Sequence, residues 1–116
     1  MKVRFKKLKN GIKDTSTGLI WELEQNPKQM NYDTALDYAK SLGKGWRVPT
    51  IEELLAIIDF GKSLPATALP GMESSNYGSS TTTHGNGTAD AWSVSFGYGS
   101  VSDYDKIFLN YVRCVR

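Results

Sequence analysis

One cysteine, one histidine and no long apolar run characterise this chain of 116 residues, and each scarcity excludes something. With Cys114 alone, no internal disulfide can form. The fold must then rest on its core or on subunit contacts, where small secreted domains often rest on cross-links. His84 alone excludes a histidine-rich metal site. No stretch approaches the roughly 18 apolar residues that span a bilayer, so no membrane insertion is expected. The start, Met1-Lys2-Val3-Arg4-Phe5-Lys6-Lys7, is basic but has no apolar segment behind it, and no signal peptide is expected in this chain. A phosphate-binding glycine loop, a Ser-His-Asp order and a pair of reactive cysteines are all missing, and a non-catalytic protein is expected.

What is present is ordinary for a globular domain: 40% hydrophobic and 22% charged residues, in a length that suits one domain spanning 1–116. The net charge of +2 hides an asymmetry. Lys2, Arg4, Lys6, Lys7, Lys9 and Lys13 precede the first acid, Asp14; from Asp14 onward eight basic residues face twelve acidic ones, a net −4. A general nucleic-acid binder would carry a broader basic face, so no nucleic-acid partner is expected. Lys2, Arg4, Lys6 and Lys7 could form an anion-binding strip. Alternatively, the lysines guard an edge strand against pairing with another sheet.

Val3 and Phe5 alternate with charges as in a half-buried strand, and Asn10-Gly11 marks a turn. Ile12–Asp14 and Leu19–Glu24 read as a hairpin, with Leu19, Trp21 and Leu23 facing the core and Ile20, Glu22 and Glu24 facing away. Asn31 should cap a helix reaching Leu42, with Gly43 closing it. In Gly45-Trp46-Arg47-Val48-Pro49-Thr50, Pro49 stops one element and Thr50 with Glu53 forms a capping box for the next. That second helix should run from about Ile51 to Asp59, and Trp46 and Trp21 should both be largely buried. From Ser63 to Ala91 the composition turns polar, with a short strand expected over Asn76–Thr83. Trp92, Val94 and Phe96 alternate as a strand. Asp103, Tyr104 and Asp105 should decorate a hairpin loop, and Ile107–Val115 should form the final strand, paired with or beside the N-terminal one. Cys114 within it reads as a buried small hydrophobe. The expected class is α+β: two helices with an antiparallel sheet.

Several segments in order carry a resemblance. They are Asp14-Thr15-Ser16-Thr17-Gly18-Leu19-Ile20-Trp21, Met30-Asn31-Tyr32-Asp33-Thr34-Ala35-Leu36, Gly45 to Thr50 with Glu53-Leu54, Tyr77-Gly78-Ser79-Ser80-Thr81, and Val112-Arg113-Cys114-Val115-Arg116. Together they resemble the bacterial Lcl C-terminal domain family, named after the C-terminal domain of the Legionella collagen-like adhesin. The chain departs from the family pattern at Gly78 and Tyr32, where the family has tryptophan. The resemblance implies a C-type-lectin-like fold, a place on the bacterial surface or in secretion, recognition of carbohydrate including sulfated glycan, and trimers built on a collagen stalk. This chain contains no Gly-X-Y tract. The alternative is a structural or receptor-binding role with a protein partner.

Aromatic faces stack on sugar rings, while amides and carboxylates fix hydroxyls, and polar loops collect such groups. The ligand-binding residues expected on those grounds are Tyr77, His84, Asn86, Asp90, Tyr98, Tyr104 and Lys106. Calcium needs clustered oxygens, and Asn86, Asp90 and Asp103 come without a Glu-Pro-Asn or Gln-Pro-Asp tripeptide. No metal and no cofactor is expected.

Overall fold

The computed structural model describes residues 4–83 and 89–116. Among the described residues, six strands and two helices follow in the order β1 (Phe5–Leu8), β2 (Gly11–Asp14), β3 (Ile20–Trp21), α1 (Tyr32–Leu42), α2 (Ile51–Leu55), β4 (Asn76–Thr82), β5 (Asp90–Ser95) and β6 (Ser100–Asp105). The class is α+β, but the strands form two three-stranded antiparallel sheets, ordered β1-β2-β3 and β4-β5-β6.

The first sheet begins as a hairpin over Lys9-Asn10, with Phe5 opposite Asp14 and Lys7 opposite Ile12. Asp14 organises the next turn: its carboxylate accepts the Ser16 N–H at 2.9 Å, its carbonyl accepts the Gly18 N–H at 2.8 Å, and Gly18 takes a positive φ of 79°. Glycine adopts that conformation without steric cost. β3 is two residues long, and its far side meets the C-terminal segment. Ile20 exchanges both backbone hydrogen bonds with Arg116, and the Glu22 N–H reaches Cys114 O at 2.9 Å. Val115 also exchanges both bonds with Arg47.

The C-terminal segment therefore lies beside β3, two strands away from β1, and not beside the N-terminal strand as expected. Nor is Ile107–Val115 one strand. Asn110 bridges Met30, Tyr111 bridges Tyr77 in parallel, and Val115 bridges Trp21 and Arg47. Its backbone groups are shared among four partners, so no single ladder forms. Asp103, Tyr104 and Asp105, expected in a loop, are instead paired along β6 with Trp92, Ala91 and Asp90.

The helix signals act locally as expected. Asn31 Oδ1 accepts the Thr34 N–H at 2.9 Å, and Gly43 ends α1 at φ 66°. Thr50 and Glu53 form the full capping box on α2. Thr81 Oγ1 accepts the Ile51 N–H at 3.0 Å, which ties the start of α2 to β4. α2 stops at Leu55 rather than Asp59, because the Ile57 N–H bonds back to Leu54 O and the Asp59 N–H goes to Ala66 O.

Two packed clusters result. Trp21, Leu54, Ile57, Tyr77, Val94, Phe96 and Val115 fill the space between the sheets and α2. Met30, Ala35, Ala39, Val48, Val112 and Cys114 fill the space under α1. Trp21 is fully buried, whereas Trp46 is only partly so, its ring 5.1 Å from the Arg116 guanidinium. An indole under a charged planar group shields it without needing a pocket. Arg47 holds Glu53 through two contacts of 2.6 and 2.7 Å, and Pro49 O accepts the Ser80 N–H at 2.8 Å. The Trp-Arg-Val-Pro-Thr segment thus works as scaffold at each of its positions.

Candidate functional site

A groove opens between the first sheet and the loop that precedes β4. It consists of two adjoining cavities of about 310 and 330 Å³ that share Leu23, Glu24 and Gly71. The antiparallel register aims Phe5, Lys7 and Ile12 at the first cavity, with Lys7 directly across from Ile12. Gln25, Pro27, Glu73 and Tyr111 line the second.

One buried hydroxyl sets the second cavity. Tyr77 is fully buried, and its O–H donates to Gln25 Oε1 at 2.6 Å while accepting the Glu73 N–H at 2.8 Å. Both walls are therefore fixed to one point in the core. Burial raises the Tyr77 pKa, against the lowering effect of its bonds to Glu73 and Gln25. The hydroxyl stays protonated and keeps its donor role. The Tyr77 ring meets Phe96 edge-on at 5.4 Å and Tyr111 at 5.7 Å, so Tyr111 is held from beneath by another aromatic.

The groove wall is pinned from inside by a buried charge. Arg113 is wholly buried, and its Nε and Nη2 donate to the carbonyls of Glu22 and Leu23 at 2.9 and 3.3 Å. Burial pulls its pKa down, while Tyr77 and Glu22 oppose that. Gly71 lies over the guanidinium at φ 81°, where a Cβ would sit 3.3 Å from Nη1. Only glycine suits both the conformation and the space. Next to Arg113, Glu22 is buried too, contrary to its expected outward position. Its Oε1 accepts the Cys114 N–H at 2.6 Å and its Oε2 accepts the Tyr38 O–H at 2.7 Å. Two partners offset the desolvation of the carboxylate. Burial and Glu22 together push the Cys114 thiol and the Tyr38 hydroxyl far above their ordinary values. Neither supplies a nucleophile near neutral pH.

The residues expected from sequence divide differently. His84 and Asn86 lie outside the described residues, as does Lys2 of the basic strip. Tyr77 is in the core and presents no face to solvent. Its burial follows from register, since it stands opposite Val94 on the inward side of the second sheet. Asp90 is half-buried at the start of β5. Tyr98 is 72% exposed in the β5–β6 turn, at the opposite end of β6 from Tyr104 and Lys106. Tyr104 packs its hydroxyl over Gly78, where a Cβ would come within 2.9 Å, and burial raises its pKa to about 12. Lys106 Nζ donates to Thr82 Oγ1 at 3.0 Å and lies 4.2 Å from the centre of the Tyr32 ring. The space between Tyr32, Val48, Gly78, Tyr104 and Asn110 has no room for a water molecule. Tyr104 and Lys106 are thus drawn together with Tyr32 as packing, and Tyr98 stands apart from them.

The basic strip also breaks up. Arg4 clamps Asp14 through contacts of 3.1 and 3.0 Å and donates to Ala56 O at 2.6 Å. Lys6 stands opposite Lys13, while Lys7 is on the other face at the groove. Alternation along β1 splits the neighbouring lysines.

Sequence reasoning missed Gln25, Gly71, Glu73, Tyr111 and Arg113. The Pro70-Gly71 dipeptide was the available signal for a turn, and nothing local marks the others.

The described residues form an α+β scaffold with an open polar-aromatic groove. More narrowly, the sequence model of the Lcl C-terminal domain family matches residues 10–116, nearly the whole chain, and the protein belongs to that family. No curated protein matches it.

Proposed function

We propose that this chain is a non-catalytic binding module of an adhesion-type protein, and that carbohydrate lies in the groove beside the first sheet. One observation carries the reading: an open groove joins the Tyr111 ring to Gln25, Glu24 and Glu73, with Gln25 and the Glu73 backbone anchored on the buried Tyr77 hydroxyl. A sugar ring stacks on an aromatic face, and its hydroxyls pair with carboxylates and amide groups. Fixing those groups before the ligand arrives reduces the entropy lost on binding. Family membership supports the adhesion setting.

The groove favours neutral sugars over sulfated ones, because Glu24 and Glu73 oppose a single Lys7 on its lining. A sulfated chain would have to use Lys6 and Lys13 on the outer face of the hairpin.

The test is titration with a panel of neutral and sulfated oligosaccharides, read by amide chemical shifts. Neutral ligands should move Gln25, Glu73 and Tyr111, should remain bound at moderate salt, and should be recovered unchanged. Glu73→Ala and Gln25→Ala should each weaken binding about tenfold, the loss of one or two hydrogen bonds. Binding that collapses as salt rises and responds to charge reversal of Lys6 and Lys13 would move the site to the hairpin face. Failure of every glycan at every salt concentration would leave a protein partner as the better reading.

A further inference from the structure

The outer edge of β6 is unlike the other sheet edges. In the second sheet, β4 has its outer side taken, since the Gly78 N–H bonds Tyr111 O at 3.0 Å and the Ser80 N–H bonds Pro49 O at 2.8 Å. β6 is the last strand of that sheet, and among the described residues nothing pairs with its far side. The Lys106 N–H bonds Ala89 O at 3.0 Å, continuing the β5–β6 register. Alternate residues of an antiparallel strand point their backbone groups the same way. The N–H and C=O groups of Val101 and Asp103 therefore point outward. Ser100 to Asp103 are exposed, and no lysine, arginine or proline occurs from Gly97 to Asp105.

Both ends of this edge are apolar and exposed. At the start, Tyr98 is 72% exposed and Phe60 80%, with the Phe60 ring 3.2 Å from where a Gly99 Cβ would be. At the finish, Ile107, Phe108 and Leu109 are 72%, 62% and 59% exposed in succession. Three consecutive large apolar residues facing water mark an interaction surface.

We propose that β6 is the docking edge for a second copy of this chain, paired antiparallel about a two-fold axis at Ser102. Such an axis brings the start of one β6 against the finish of the other, so each apolar end is covered by the opposite end of its copy. Charge selects the register. An axis at Asp103 would set two aspartates face to face, whereas an axis at Ser102 sets Val101 against Asp103 of the second copy and Tyr98 against its Lys106. Outward pairs Val101–Asp103 then exchange backbone hydrogen bonds, and Ser102 meets Ser102 at the closer, non-bonded position.

The test uses the full chain in sedimentation equilibrium over a range of concentrations. A dimer should accumulate as concentration rises. Val101→Pro removes an outward N–H and no bond to β5, and Phe108→Asp places a charge in the apolar end. Each should weaken dimerisation by about tenfold or more while the melting temperature in dilute solution, where the chain is monomeric, stays put. Ser102→Cys should cross-link to itself under mild oxidation, with the buried Cys114 taking no part. A monomer at all concentrations would overturn the proposal. So would a dimer indifferent to Val101→Pro and Phe108→Asp, or a dimer in which Ser102→Cys fails to cross-link.

Discussion

The outer strands β1 and β6, one from each sheet, have opposite character. β1 carries Lys6 and Lys7, with Lys9 just beyond, and is held inward by Phe5 packed against the core and Arg4 on Asp14. β6 carries Asp103 and Asp105, is exposed along most of its length, and is followed by Ile107-Phe108-Leu109. Lysines on an edge oppose pairing with another sheet, and a bare edge flanked by apolar residues favours it. Hydropathy alone would not separate the two strands. What separates them is where the charges fall and what the edge already holds: β1 serves stability, and β6 is the edge proposed for association.

The largest effect should come from removing residues 1–9. That deletes β1, strips Phe5 from the side of the core and leaves Asp14 buried without its guanidinium. A loss of about 4 kcal/mol or more in denaturant unfolding is expected. If the truncated chain unfolds at the same midpoint, β1 is ornament and the contrast fails. Arg4→Ala isolates one part of that effect. Breaking a buried pair from one side leaves a desolvated charge, and about 3 kcal/mol should be lost, less whatever water recovers at the exposed side of Arg4.

Acid sharpens the same point. Burial pushes the Asp14 carboxyl up, but the Arg4 guanidinium and the Ser16 N–H outweigh it and hold its pKa below the ordinary value. Arg47 likewise holds Glu53 low, against burial. A carboxyl with a depressed folded pKa binds fewer protons folded than unfolded. Its stabilisation is complete above the unfolded value of about 4 and is lost as pH falls through the lower folded value. The melting temperature should therefore hold from pH 7 to about 5 and decline below about 4. Asp14→Asn should melt lower at neutral pH and show a shallower acid decline. A decline of unchanged steepness would remove Asp14 from the account.

Away from both edges, Thr50→Ala should cost about 1 kcal/mol by loss of the α2 cap. Smaller still, Val101→Lys and Asp103→Ser on β6 should change stability by less than about 0.5 kcal/mol, because they touch solvent. A larger loss would mean that β6 stabilises its own monomer.

The elements legible in the sequence are those fixed by a few adjacent residues. Asn31 and Gly43 bound α1, and Thr50 with Glu53 starts α2, because capping is a contact between residues three apart. Burial within the C-terminal segment was also legible at Cys114. Its pairing was not, since Asn110, Tyr111 and Val115 each bond a partner distant in the chain. The groove escaped notice for a related reason. Arg113 was a charge, and charges are ordinarily exposed; Tyr77 sat among glycine, serine and threonine, a context that suggests surface. Only the folded register shows that one pins a wall and the other anchors it. The α+β class needed no such knowledge, though two sheets took the place of one.

The contrast between the edges is tested most directly by amide hydrogen exchange at several protein concentrations. The outward amides of Val101 and Asp103 should exchange fast in dilute solution and slow progressively as the chain is concentrated. Amides of β1 outside the β1–β2 ladder should exchange at one rate throughout. Outward β6 amides that exchange equally fast at every concentration, or concentration-dependent protection appearing on β1 instead, would contradict the account.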